Sequence, residues 1–354
     1  VGAWAWLAIH GVTAHLLRPG GLYDHKGAFD LGRVIGRVPS ASAPKNVAGR
    51  SLLLLQSPAA DLRTAIEARA LDALVCIEGD PLTTIPGLSL DGVRVVALDT
   101  HETATTRAAE IVLPVADSWE HFDQQIVDAS LLPVHGVARA NPVATPPPGV
   151  EPTEAVLRRL FAATEVGMRG SAFGLHLGVS ARFLAHVELA SWMGRLGELA
   201  PGIDSHALET PPHRVFTGDA DRATWRIPSE KIQLLPEAIR TALAELEEPR
   251  RPDGFPLTLR TSVRDRTEPG RDPRDRGAGI HPSLGFPEGA PVIVETPAGT
   301  VSTVARSDSR LRADVVDLPW GYGVDVHALY GRHWRDEQTG SIVRDGHPCR
   351  VRQT

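Results

Sequence analysis

Val93-Arg94-Val95-Val96-Ala97-Leu98-Asp99, followed by Thr100, Thr105 and then Ala109-Glu110-Ile111-Val112-Leu113-Pro114, is the stretch that decides the fold. The first run is continuously apolar and predicts a buried strand. It closes on an acid, Asp99, passes through a Thr-rich helix start, and returns as a second apolar strand over Glu110 to Leu113. A strand ending on an acid in this way forms the edge of a nucleotide site, because the carboxylate there can accept from a ribose or a purine edge.

Upstream, Leu74 to Ile77 predicts another strand, closed by the turn Glu78-Gly79-Asp80-Pro81. Leu52 to Gln56 predicts a further short strand, and Asp61 to Ala70 a helix with apolar residues at helical spacing. Strands that alternate with helices and read as unbroken apolar runs predict a parallel sheet covered on both faces. Gly79-Asp80-Pro81 and Asp99-Thr100 then both lie at strand carboxyl ends, where open parallel sheets bind ligands through backbone N–H groups. Gly-Asp-Pro is also ordinary turn chemistry, so this signal stands beside a plain structural reading.

The 354 residues suggest two domains, and an apolar content of 42% suffices for a sizeable core. A net charge of −6, from 37 basic and 43 acidic residues, argues against a nucleic-acid binder. Two cysteines, Cys76 and Cys349, form no disulfide framework or cluster motif, which fits a cytoplasmic location. Val1 to Leu17 is apolar but broken by His10, Gly11 and His15; it predicts a half-buried helix rather than a membrane span or signal peptide. Gly27 to Ser51 reads as loop. Pro142 to Pro152 marks the exit from the sheet, Glu154 to Ala163 a helix, and residues 166 to 250 a helical and irregular region ending in a helix over Pro236 to Glu248.

After Arg250-Arg251-Pro252-Asp253-Gly254 the texture changes to short strands between glycine and proline turns: Leu257 to Leu259, Val292 to Val294, Val301 to Ala305 and Val315 to Leu318. Val292 to Val301 reads as a hairpin, and the whole stretch as a small barrel. Arg260, Arg264 and Arg266 flank its first strand, where guanidinium forks would match phosphate oxygens, or else form a solvated basic loop offset by Asp265. Trp320-Gly321-Tyr322-Gly323 either lines a pocket or forms a packed turn. The 14 histidines show no zinc spacing, and the chain has no Gly-x-Ser-x-Gly elbow, Walker loop or Gly-x-Gly-x-x-Gly.

The order of these segments resembles the molybdopterin guanine dinucleotide oxidoreductases of the DMSO reductase type, which include formate dehydrogenases and nitrate reductases. That family carries an apolar strand with a Gly-Asn-Pro turn, as Leu74 to Pro81 does here. It then carries an acid, a Thr-Ala stretch and Ala-Asp-Val-Val-Leu-Pro, which Asp99, Thr105-Thr106 and Ala109 to Pro114 match in spacing. Leu16 to Gly21 is similar to its Arg-Pro-Gly-Gly segment, and Trp119-Glu120 falls where it has a Trp or Glu. Trp225 to Ile232 is similar to its Pro-Ser-Gly-Lys-Ile bridge. Phe255-Pro256-Leu257, Glu288 to Gly299, Asp314 to Gly321 and His347 to Arg352 follow its last domain. Three departures stand out: Asp80 for the usual Asn, no Gly-Thr-x-x-Asn in Gln124 to Arg139, and a short Ile280 to Gly289.

The resemblance implies an α/β chain: a partial, parallel-sheet Rossmann-like domain over 1–165, a connecting region over 166–250, and a double-psi-type β-barrel over 251–354. It implies molybdopterin guanine dinucleotide, with Mo or W, held by Gly79, Asp80, Pro81, Asp99, Thr100, Thr105, Arg260, Arg264, Trp320, Gly321 and Arg350. The guanine nucleotide would lie near Gly79 and Asp99, with Arg264 and the Trp320 segment closing over the pterins. Asp80 would set a carboxylate near phosphates unless it points away. The family's iron–sulfur cysteines and metal-ligating residue belong to an earlier part of its chain. The expected protein is therefore the C-terminal portion of such an enzyme, formate dehydrogenase-like, partnered by an N-terminal half or a subunit carrying the iron–sulfur cluster. The other reading is a non-catalytic subunit that binds the cofactor or packs on a catalytic partner.

Overall fold

The structure is a computed structural model that describes residues 2–16, 59–124, 134–165, 167–172, 175–186, 210–211, 214–219, 233–244, 251–261, 277–319, 326–331, 334–336 and 340–354. In chain order the described elements are α1 (Gly2–Val12), α2 (Asp61–Glu67), β1 (Ala73–Ile77), α3 (Pro81–Thr84), β2 (Arg94–Asp99), α4 (Ala104–Ala108) and β3 (Ile111–Pro114). Then come β4 (Asp123–Gln124), β5 (Val134–Ala140), α5 (Thr153–Thr164), β6 (Met168–Ala172), β7 (Leu175–Val179), α6 (Ala181–His186), β8 (Arg214–Asp219) and α7 (Glu237–Ala244). The last are β9 (Leu257–Arg260), β10 (Ala278–Ile280), β11 (Pro291–Thr296), β12 (Gly299–Ser307), β13 (Val315–Asp317) and β14 (His347–Gln353), with 3-10 turns at Pro282–Leu284 and Val326–Leu329. These residues form two compact units, one holding 59–114 and 251–354, the other the rest.

The first unit contains a mixed α/β layer and a closed barrel. β1, β2 and β3 form a parallel sheet in that order, with Cys76 opposite Ala97 and Leu98 opposite Leu113. Cys76, Val95 and Ala97 share one face and are buried against Leu90 and Ala109. Side chains alternate along a strand, so Val75, Ile77 and Ile111 share the other face. They are 44 to 47% exposed, while Leu98 on that same face is fully buried and Val112 on the Cys76 face is 48% exposed, so among the described residues each face is covered only in part. The helix expected over Asp61 to Ala70 stops at Glu67. Arg69 turns left-handed at φ 52°, and Ala70 and Arg69 donate back to Ala65 O and Ile66 O, which closes the last turn as a Schellman motif. The Thr-rich start of α4 is a capping box: Thr103 Oγ1 accepts from Thr106 N, and Thr106 Oγ1 accepts from Thr103 N.

The barrel runs β10-β12-β11-β14-β9-β13, closed by the β10–β13 pair. It mixes parallel pairs, β10 with β12 and β9 with β13, with antiparallel ones. The hairpin expected over Val292 to Val301 is the antiparallel β11–β12 pair, closed between Thr296 and Gly299. Inward positions supply a dry core in which Leu259, Val292, Val294, Val316, Leu318 and Cys349 have no exposed surface. β10 and β14 have no counterpart among the strands read from sequence: Ala-Gly-Ile is three residues long, and His-Pro-Cys-Arg-Val-Arg-Gln carries a proline and two arginines.

In the other unit, β4, β5 and β8 form one antiparallel sheet, and β6 with β7 a hairpin. The stretch read as helical and irregular, 166 to 250, thus holds three strands among its described residues besides α6 and α7. The strand expected over Leu52 to Gln56 and the loop over Gly27 to Ser51 lie outside the described residues.

Candidate functional site

β1 ends in a tight corner. Glu78 N continues the ladder to Leu98 O, and Glu78 itself sits at φ 46°, in the left-handed region where a Cβ crowds the next carbonyl. The chain then crosses Gly79 and Asp80 and enters α3 at Pro81, whose fixed φ suits a first helical position. A crevice of about 380 Å³ opens at this corner, lined by Leu62, Glu78, Gly79, Asp80, Pro81 and Thr84 among others. Gly79 has ordinary room around it, since an added Cβ would meet Ile77 O at 3.5 Å. Packing within the described chain therefore does not demand glycine there, and the bare backbone is free to meet a ligand.

Asp80 does not point into the crevice as a charge waiting for a partner. Its Oδ1 accepts from Thr105 N at 3.1 Å and Thr105 Oγ1 at 2.6 Å, and its Oδ2 from Thr83 Oγ1 at 2.5 Å. The residue is 7% exposed and Thr105 is fully buried. Two of the expected site residues, Asp80 and Thr105, thus tie the end of β1 to the helix after β2. The Asp80 oxygens are thus turned onto Thr83 and Thr105. Asp99, at the end of β2, accepts from Thr100 N at 2.8 Å and His101 N at 3.3 Å, so it shapes its own turn.

Inside β1, one residue before its end, lies Cys76. Burial, then the carboxylates of Asp80 and Asp99, push its thiol up to about 11. A thiol held that high is neutral at pH 7 and is a poor nucleophile or metal ligand. Among the described residues, no three His, Cys, Asp or Glu side chains converge as a metal-binding group.

On the barrel, Arg260 is exposed and stands 3.8 Å from Asp317. Arg350 holds Glu295 in a two-pronged fork at 2.7 and 3.0 Å and lies over the Phe255 ring. Its guanidinium already serves a carboxylate, and that pairing holds Glu295 below the usual carboxylate range. Arg264, Trp320 and Gly321 lie outside the described residues. The structure therefore brings Gly79, Asp80 and Pro81 to one crevice with Thr105 behind them, and sets Asp99 and Thr100 at the neighbouring strand end.

Sequence reading missed a second group, at the seam between sheet and barrel within this unit. Two guanidiniums stand over the Trp334 ring, Arg63 at 5.1 Å and Arg335 at 5.7 Å. Arg335 also donates to Thr64 Oγ1 at 3.0 Å and stands 3.9 Å from Asp61. Arg344 reaches from the barrel to Thr84 O at 3.4 Å, on the crevice wall. Partners more than 250 residues apart leave no local pattern in a sequence; the only available signal was Trp-Arg at 334–335 beside a loop rich in charge.

No family model matches the sequence, and no curated protein sequence matches it. Among solved structures, acetylene hydratase from Pelobacter acetylenicus shares the fold, with a TM-score of 0.57 over 84% of this chain at 18% identity. The match covers 47% of that protein, so the chain spans about half the length of the structure it resembles. Likeness at this identity speaks to the fold alone. Among the described residues, no helix is long and apolar enough to cross a membrane.

Proposed function

We propose that this chain is the C-terminal part of a molybdopterin-dependent oxidoreductase and grips the guanine nucleotide end of its cofactor. One observation carries the reading. A crevice sits at the carboxyl end of the parallel β1–β2–β3 sheet, walled by Gly79-Asp80-Pro81, in the same unit as a closed six-stranded barrel. Its volume of about 380 Å³ lies in the range of small-molecule sites. The sheet would be the Rossmann-like part and the barrel the double-psi type, a reading supported by the barrel's two parallel pairs.

The residues fit such a group in kind: open backbone at Gly79, a carboxylate at Asp99 for ribose or base donors, and an Asp80 whose oxygens accept from Thr83 and Thr105. When bound, the group supplies two-electron redox chemistry at Mo or W, while the protein binds and orients it. The reaction is not set by the fold, since the solved relative is named as a hydratase. A formate dehydrogenase-like activity rests on the motif resemblance.

The test is chemical. The full chain, produced in a host that makes the pterin dinucleotide, is denatured and its released small molecules are quantified. Guanine nucleotide near one per chain, with Mo or W, supports the enzyme reading. Guanine nucleotide without metal favours a cofactor-holding subunit, and a chain that releases neither and binds no added GDP overturns both. Asp99→Ala is expected to weaken nucleotide retention by about 1–3 kcal/mol, the scale of a lost hydrogen bond to a charged group. Unchanged retention in that variant removes Asp99 from the site.

A further inference from the structure

We infer that Arg63 is a positioning residue of the crevice: it ties together the two stretches of chain that line it and so sets its width. The inference rests on the nucleotide reading above and adds to it a residue that stands behind the lining. The lining comes from two places in the sequence. Ala59 and Leu62 stand at the head of α2, and the stretch from Glu78 to Ile85, at the corner after β1, contributes the rest. A space between two stretches is as wide as their separation, and a bond that joins them fixes that separation. Arg63 makes such a bond. It follows Leu62 in the chain, and its Nη1 donates to the carbonyl of Pro86, which follows Ile85, at 2.8 Å. The chain neighbours of two lining residues are thus bonded to each other.

Three contacts fix the guanidinium. Nη1 is on Pro86 O, Nε donates to Glu67 one turn along α2 at 2.7 Å, and Cζ stands 5.1 Å from the centre of the Trp334 ring. A planar group engaged at both edges and on its face holds one position, where an ammonium on a flexible stem would not. Arg63 is therefore engaged as a strut, acting on the ligand through Leu62 and Ile85 rather than by touching it.

Gly87 completes the arrangement. It sits at φ 63°, in the left-handed region, and an added Cβ would stand 2.8 Å from Arg63 Nη1. That atom is the tip of a flexible side chain, so alanine here would push Arg63 off Pro86 O before it moved any backbone. Gly92 supplies the contrast, since its φ is 79° and an added Cβ would meet nothing within 4 Å. Alanine at either glycine carries the same kind of left-handed penalty, but only at Gly87 does it disturb Arg63.

The experiment measures GDP and UDP binding to the full chain by calorimetry, in the wild type, Arg63→Met, Gly87→Ala and Gly92→Ala. The two ligands carry the same phosphates and differ in the base, two rings against one, so the ratio of their Kd values reads the width of the crevice. A smaller folded fraction scales both constants alike and leaves the ratio unchanged. Methionine keeps an apolar stem against Trp334 and removes the donors. The wild type is expected to favour GDP over UDP about tenfold or more. Arg63→Met and Gly87→Ala are each expected to lower that ratio about fivefold, with Gly92→Ala staying within about twofold of the wild type. A ratio unchanged in either Arg63→Met or Gly87→Ala, or lowered as much by Gly92→Ala, would make Arg63 a merely structural tie and overturn the inference while the nucleotide reading stands. A wild type that binds GDP and UDP alike overturns it in the same way. A wild type that binds neither removes the nucleotide reading itself, and the role of Arg63 with it.

Discussion

Glu78 and Asp80 show how two acids one residue apart can have opposite duties. Glu78 sits at φ 46°, a conformation that costs an L-residue about 1–2 kcal/mol. Glycine removes that cost but adds freedom to the unfolded chain, worth about 0.4–1 kcal/mol against it. Glu78→Gly is therefore expected to raise stability by roughly 0.5–1 kcal/mol in urea unfolding. A loss of stability would mean that the Glu78 side chain contributes more to the folded state than its backbone costs. Asp80 is the reverse case: its φ is negative, and its buried carboxylate accepts from Thr105 and Thr83. Asp80→Ala leaves the buried Thr105 hydroxyl and amide without their acceptor and should cost about 2–4 kcal/mol, with Asp80→Asn costing less because one carbonyl oxygen remains. Equal, small losses in both variants would show that the Thr105 contacts contribute little. The turn itself was legible in Gly79-Asp80-Pro81, but the direction of the Asp80 side chain was not. It depends on Thr105, 25 residues away, reaching the same corner only after β2 has paired with β1.

Elements were legible where their pattern was local. The unbroken apolar runs at Val93 to Leu98 and Glu110 to Leu113 gave β2 and β3 to within a residue or so, and the two-residue turn Pro297-Ala298 fixed the β11–β12 hairpin. β10 and β14 escaped because their place depends on closure of the barrel: β14 is flanked by β11 and β9, partners far away in sequence. The same closure makes Gly299 sensitive, since a Cβ there would stand 2.5 Å from Ala328 O, backbone of the adjacent 3-10 turn. Gly299→Ala should cost about 1–3 kcal/mol by overpacking, and a neutral result in thermal unfolding would mean that the 326–329 turn yields freely. Acid should loosen the barrel by another route. Hydrogen bonds from Arg310, with Arg306 nearby, hold the buried Asp308 carboxyl well below its ordinary range, and Arg312 holds the half-exposed Asp314 at about 2. A lowered folded value means that the unfolded chain takes up protons first. The stabilisation is whole above about pH 4, the unfolded carboxylate range, and fades as pH falls through the folded values. Asp308→Asn should flatten the stability profile between about pH 4 and 2 while lowering the plateau at pH 7. An unchanged acid limb in urea titrations would place the acid sensitivity elsewhere.

At the scale of the molecule, two layers of one unit meet beside the crevice: the sheet layer supplies Glu78, Gly79 and Thr84 to its wall, and Arg344 of the barrel layer donates to Thr84 O. Trp334 is the residue best placed to hold them together. It offers the face of its ring to Arg63 from the sheet side and to Arg335 from its own loop, while Arg335 returns to Thr64 and Asp61 on α2. Cation–π contacts contribute about 0.5–2 kcal/mol each depending on desolvation, so the ring and its hydrogen-bonded neighbour form a seam of a few kcal/mol between layers that share no strand pairing among the described residues. A seam of that size is enough to make the layers open together, because it exceeds the thermal energy several-fold while each layer alone is small. Hydrogen exchange reads this directly. In the wild type, the amides of β2 and of β12 should exchange with similar opening free energies. In Trp334→Ala, β2 should lose about 1–3 kcal/mol more protection than β12, since the three-stranded sheet relies on the seam and the closed barrel does not. Equal losses in β2 and β12 would mean that the barrel depends on the seam as much as the sheet does. No loss in either would mean that the bond from Arg344 to Thr84 O and the remaining contacts of α2 suffice to join the layers.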